Sequence, residues 1–196
     1  MFSFERIEKL GIDQSELSKI AKSMDKLTDP KDIDKPIVKE LKEIKGCPIE
    51  GNGGKWEGER GNSMWLPDKN EIPKNPLTNP GGLTWEKILN KYGIDGINFV
   101  DGEPDFSPVS KGTVEIDNFT DNRYGKGGNF DQACEKLAEK RGCTKEEVKA
   151  WMKENKYTWH ERSDCKTMDK VPTEIHGNIR HSGGISEIKS NNSELS

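Results

Sequence analysis

The sequence predicts an α+β fold that closes, near its C-terminus, on a strand–strand–helix unit. Three observations predict it. Helical periodicity with capping residues appears at 84–93 and again from 130 to 155. Short runs of strand formers lie between and after those helices. All three histidines of the chain, His160, His176 and His181, fall within 22 positions on the final strand–strand–helix stretch.

Taken in order, residues 1–46 read as short, charged helices, either a connector or a small helical subdomain. Phe4, Ile7 and Leu10 share a face and Gly11 ends that turn. Leu17, Ile20, Ala21 and Met24 form a second thin apolar stripe, and Ile37, Leu41 and Ile44 a third. Residues 47–83 change character to Gly, Pro and Asn, as in Gly51-Asn52-Gly53-Gly54 and Asn79-Pro80-Gly81-Gly82, which predicts turns and irregular backbone. Trp56 and Trp65 argue against simple disorder there, because such large apolar groups need something to pack on.

Thr84 reads as the N-cap of a helix that starts at Trp85 and stops at Gly93. Ile94 to Ile97 with Phe99-Val100 reads as a strand, and Asp101-Gly102 as a turn. Val109 and Thr113 to Ile116 suggest another strand, and 121–129 a Gly-rich loop. From Phe130, Ala133, Leu137 and Ala138 define a helical face ended by Gly142. Thr144 and Glu147 form a capping box for a helix that buries Val148, Trp151 and Met152. Tyr157 to His160 and Thr167 to Val171 are strands. Pro172 and Glu174 open a last helix through His176 to about Arg180, which Gly183-Gly184 closes.

Composition limits the function classes. Only 30% of the 196 residues are hydrophobic and 34% are charged, so part of the chain is expected to be loop-rich. No eighteen-residue apolar run exists, which excludes a membrane-spanning helix, and the N-terminus lacks the apolar core of a signal peptide. Cys47, Cys134, Cys143 and Cys165 form no C-x-x-C pair and read as reduced, mainly structural thiols. The net charge of −4 runs against nucleic-acid binding. From Lys140 to His181, however, ten Lys or Arg face seven Asp or Glu, a balance of +3 that leaves −7 for the rest.

Histidine is the commonest metal ligand and the side chain that most readily takes a proton near neutral pH. His160 is followed directly by Glu161 on the first strand of the unit, and His176 and His181 lie on or just after its helix. Such a hairpin can hold one cation between strand and helix. A structural zinc clip, with Cys165 as fourth ligand, would use the same histidines.

The run from Thr158 to Gly184 resembles the C-terminal core of bacterial toxins of the HNH/endonuclease VII superfamily, which are similar to colicin-type DNases. Those toxins carry a Trp-His-His or Trp-His-Glu strand, a Thr-Met-Gln-Leu-Val-Pro element and a His-x-x-x-x-His-Ser/Thr-Gly-Gly element. Trp159-His160-Glu161 matches the first, and His176, His181, Ser182, Gly183 and Gly184 match the third. Asp169-Lys170 replace Gln-Leu in the second. The blocks Gly102-Glu103-Pro104-Asp105-Phe106-Ser107 and Asn129-Phe130 also look like such toxins. The likeness covers roughly residues 47–190, with its core at 157–184, and leaves 191–196 as a disordered tail.

The resemblance implies a ββα-metal (His-Me finger) hairpin, and a metal-dependent endonuclease that hydrolyses DNA with one divalent ion, Mg²⁺, Mn²⁺, Ni²⁺ or Zn²⁺. RNA, as tRNA or rRNA, is the alternative substrate, and a zinc-stabilised binding module is the alternative to an enzyme. It further implies a delivered effector acting in the cytoplasm of a target bacterium, and an immunity protein that neutralises it. His176 and His181 carry over as metal ligands. His160 and Glu161 divide the remaining roles. The toxins with two histidines would make His160 the ligand and Glu161 the base. A carboxylate suits a hard cation and an imidazole is the better base at pH 7, which tips the balance slightly to His160 as base and Glu161 as ligand. Arg162, Lys166, Lys170 and Arg180 are the candidate phosphate contacts.

Overall fold

A computed structural model of the chain describes residues 46–194, with side chains through 189. The short helices expected at 1–45 lie outside the described residues. The described part holds seven strands and five α-helices. The first sheet is antiparallel, with β1 (Gly54–Trp56), β2 (Met64–Pro67), β3 (Ile97–Val100) and β4 (Glu103–Pro104) in that order. The second is also antiparallel and places β7 (Thr167–Pro172) between β5 (Thr113–Glu115) and β6 (Tyr157–Glu161). The helices are α1 (Trp85–Tyr92), α2 (Asn129–Arg141), α3 (Lys145–Asn155), α4 (Thr173–His176) and α5 (Gly184–Glu194).

Local signals set the boundaries of most elements. Gly93 and Gly142 end α1 and α2 in the left-handed region, which an L side chain adopts only with strain. The capping box of α3 forms in full: Thr144 Oγ1 accepts from the Glu147 amide, and the Glu147 carboxylate accepts from the Thr144 amide. Asp101 and Gly102 both take positive φ and turn β3 into β4.

The structure departs from the sequence reading in four places. Val109, read as part of a strand, lies in a 3-10 turn over Ser107–Val109. The segment 47–83, expected to be irregular, contains β1 and β2. They are three and four residues long and bounded by glycine turns, and Trp56 packs on Trp65 across the pair at 5.3 Å. The last helix stops at His176 instead of reaching Arg180. The chain turns at Gly177, and the Asn178 side-chain Nδ2 donates to the Glu174 carbonyl that a longer helix would have used, while its backbone N–H goes to Ile175. Gly183-Gly184 does not close a helix; Gly184 opens α5, which runs into the stretch read as a tail.

The second sheet separates two apolar clusters. On one face, α2 and α3 pack Ala133, Leu137, Val148 and Met152 against Val114, Trp159 and Met168. On the other, Val171, Ile175 and Ile179 join Phe106, Trp85, Ile88 and the first sheet. Tyr92 of α1 donates a 2.5 Å hydrogen bond to Glu174 of α4, and Lys91 pairs with the same carboxylate. The short helix is therefore clamped to the body of the fold, which fixes where its histidine points.

Candidate metal centre

Side chains alternate across a strand. Trp159 and Glu161 of β6 therefore face α2 and α3 with Met168 and Lys170 of β7. His160 faces the opposite side with its cross-strand partner Asp169. There it meets His176 at the end of α4 and His181 beyond the turn. His160 Nδ1 lies 3.3 Å from His176 Nε2, and His181 Nε2 lies 3.1 Å from the same atom. One ring nitrogen from each histidine falls within 4.8 Å of the others. Phe106, itself 1% exposed, packs on all three rings with centroids 4.9 to 5.6 Å away.

The surroundings keep these imidazoles neutral. Burial, with repulsion from the neighbouring histidines, holds His160 well below the usual histidine range. Burial pushes His176 down to about 3, and burial lowers His181 as well. A carbonyl can only accept, so His181 Nδ1, 2.8 Å from the Ile179 oxygen, carries the proton and leaves the Nε2 lone pair facing the cluster. Three neutral, convergent nitrogens, one with its tautomer fixed by a backbone carbonyl, form a donor set that fits a divalent transition metal.

Glu161 is not part of this convergence. Its buried carboxylate turns to the helical face, where Oε1 accepts from Asn129 Nδ2 at 2.8 Å and Oε2 from Arg123 Nε at 2.7 Å. Asn129 is fully buried, and its amide group also makes two hydrogen bonds with the Thr120 backbone. Cys165 does not join the histidines either; its thiol donates to the Ser163 and Gly184 carbonyls.

The candidate phosphate contacts divide. Arg162 is held by Asp169 at 2.6 Å, and Lys166 pairs with the exposed Glu115. Arg180 is exposed. Lys170 is a correction: it is 1% exposed, with Nζ 3.9 Å from the Trp151 ring centre, so it cannot meet a phosphate. Its position in β7, on the face covered by helices, is the cause. Burial, with repulsion from Arg141, pulls its pKa from 10.5 down to about 8. Between those values the unfolded chain holds a proton that the folded chain lacks, so the stability of the wild type should rise with pH in that window. Lys170→Met should remove this rise and be the more stable protein at pH 7. Urea denaturation of both proteins from pH 7 to 10 measures it, and parallel profiles would contradict the buried ammonium.

Sequence reasoning missed Arg123, Asn129, Glu103 and Phe106 as parts of the site. The signal was present in the Gly102–Ser107 and Asn129-Phe130 blocks, but periodicity cannot show that a loop folds back on the histidines. Arg123 sits in the loop before α2, paired with Glu161, the strand neighbour of His160, and its positive charge adds to the lowering of each histidine's pKa that burial begins. The backbone around His181 is equally close-fitted. A Cβ on Gly183 would lie 2.6 Å from the Glu161 carbonyl oxygen, and one on Gly184 would lie 2.5 Å from that of Arg162.

No curated protein matches the chain. A family model does, over residues 96–183, and its description is the DNase/tRNase domain of colicin-like bacteriocin. The matched segment contains all three histidines, Glu161, Arg123 and both strands of the hairpin. Residues 96–183 are thus similar to the nuclease domains of colicin-like bacteriocins.

Proposed function

We propose that the chain is a metal-dependent endonuclease toxin that hydrolyses phosphodiester bonds in DNA, with His160, His176 and His181 as its metal ligands. The observation that carries this reading is the convergence of three neutral imidazoles on a ββα hairpin inside the matched segment. A bound divalent ion would act as a Lewis acid on the phosphate and stabilise the leaving 3′ oxygen. The nitrogen-rich donor set favours Zn²⁺ or Ni²⁺ over Mg²⁺. His160 is taken as the third ligand and not as the base, because its Nδ1 faces the histidine cluster, 3.3 Å from His176 Nε2, while the Glu161 oxygens are occupied by Arg123 and Asn129. Glu161 instead aims Arg123, whose side chain is 42% exposed and whose guanidinium can bind a phosphate oxygen. Phe106 walls off water from the inner side of the rings.

The nuclease domain is taken to span 47–190, because one apolar cluster runs from Cys47 to Ile179. As a bacteriocin-like toxin it would be delivered to a competing bacterium, act in that cell's cytoplasm, and be held inactive in its producer by an immunity protein. Among the described residues no helix is long and apolar enough to cross a membrane. The family description also names tRNases, which keeps RNA as the second reading. Incubating the purified protein with supercoiled plasmid, and separately with total RNA, in Mg²⁺, Mn²⁺, Ni²⁺ or Zn²⁺ tests both. Nicked and linear plasmid, abolished by a chelator, is the expected result. Plasmid left intact with all four ions while RNA is cut would move the reading to RNA, and no cleavage of either would overturn it.

A further inference from the structure

We propose that Glu103 is a positioning residue for His160: its carboxylate accepts the Nε2–H of that ring and so turns the Nδ1 lone pair toward the metal. The inference rests on the reading that the three histidines hold a cation. Its starting point is an anomaly. Among the described residues, His160 Nε2 is a fully buried polar atom without a hydrogen-bond partner. A buried N–H left unmatched is costly, so such an atom calls for an explanation.

The two ring nitrogens of His160 face different neighbours. Nδ1 is the one directed at the cluster, 3.3 Å from His176 Nε2. Nε2 has Glu103 Oε1 3.9 Å away. A neutral imidazole carries one proton, and only if it sits on Nε2 does Nδ1 present a lone pair to an ion. A carboxylate beside Nε2 selects that tautomer and raises the basicity of the ligating nitrogen. The 3.9 Å separation is too long for a direct bond, and a shift of about 1 Å or one bridging water closes it.

Glu103 is built to stay there. The turn at Asp101-Gly102 delivers it on β4, next to Pro104, which pairs with Phe99. Ser163 then grips both oxygens: its amide donates to Oε1 at 2.7 Å and its hydroxyl to Oε2 at 2.8 Å. Ser163 follows β6 by two residues, so the carboxylate is tied to the strand that carries His160. Each oxygen keeps a lone pair for another donor.

The test uses metal-free protein first. Long-range ¹H–¹⁵N spectra should show His160 as the Nε2–H tautomer in the wild type and as a mixture in Glu103→Ala. Titration with Zn²⁺ or Ni²⁺ should then show a 10- to 100-fold weaker Kd for Glu103→Ala. Glu103→Gln, whose carbonyl oxygen can still accept from Nε2, should recover most of that loss, and Ser163→Ala should fall between. A His160 tautomer and a Kd unchanged in Glu103→Ala would overturn the proposal. So would equal losses of affinity in the Gln and Ala variants with the tautomer unchanged, since charge alone would then explain them. If Glu103→Ala fails to fold, Glu103→Gln and Ser163→Ala carry the same comparison. A wild type that binds neither ion overturns the metal reading itself, and the tautomer spectra still report on Glu103 separately.

Discussion

His176→Ala should lose nuclease activity by roughly a thousandfold, about 4 kcal/mol in the barrier, together with most of its affinity for Zn²⁺ or Ni²⁺. His176 is the choice because it is central: its Nε2 is the atom that both His160 and His181 approach, at 3.3 and 3.1 Å. Removing it breaks the donor set and leaves two imidazoles without a common focus. The ring is on a short helix clamped by Lys91 and Tyr92 through Glu174, so the backbone should survive the change. Calorimetric titration of the metal, beside plasmid cleavage at saturating metal, separates two roles. Lost affinity marks a ligand. A variant that binds metal normally and is merely slow would remove His176 from the ligand set. The same pair of measurements on His160→Asn decides between ligand and base at the position where sequence chemistry left both open.

Glu161→Ala should cost about 2–3 kcal/mol of stability and lower the melting temperature by about 5–10 °C. The carboxylate is 2% exposed and satisfies two partners of different standing. Arg123 is partly open to solvent, so water can take over its lost bonds. Asn129 is sealed, and its Nδ2 would keep only the Thr120 carbonyl as acceptor. The larger part of the cost therefore falls on Asn129. Glu161→Gln keeps an acceptor for Asn129 but turns an amide toward the guanidinium, so it should fall between wild type and Ala. Urea denaturation measures all three, and a loss below about 0.5 kcal/mol for Glu161→Ala would contradict the buried network. Activity should fall as well, because Arg123 loses the group that aims it; a cycle with Arg123→Ala reads that coupling directly.

Much of the site was legible in the sequence because it follows from strand period. Once Trp159 is placed in a core, alternation sends Glu161 to the same side and His160 to the other. The same rule applied to Met168 would have buried Lys170 beside Trp151. The same alternation separates Glu161 from His160, although the resemblance pairs them in one site, and charge alone is what marks Lys170 as a phosphate contact. The helices at 84–93, 129–142 and 144–156 were legible from their caps, which act within one turn. What local rules do not reach is long-range closure. Asn129 and Glu161 are 32 positions apart, and Glu103 and Ser163 are 60 apart. β1 and β2 were missed because their stability comes from Trp56, Trp65 and Phe99 packing across strands, not from alternation within three or four residues.

The two glycines after Ser182 work as a gauge. Neither has an unusual φ, so neither is there for conformational freedom. They are there because no atom fits between this turn and the carbonyls of Glu161 and Arg162. The missing methyl groups set the gap between the end of β6 and the segment that carries His181. A single Cβ at residue 183 would widen that gap and draw His181 away from its two partners. The spacing of the three imidazoles thus depends on two residues that offer no side-chain donor of their own.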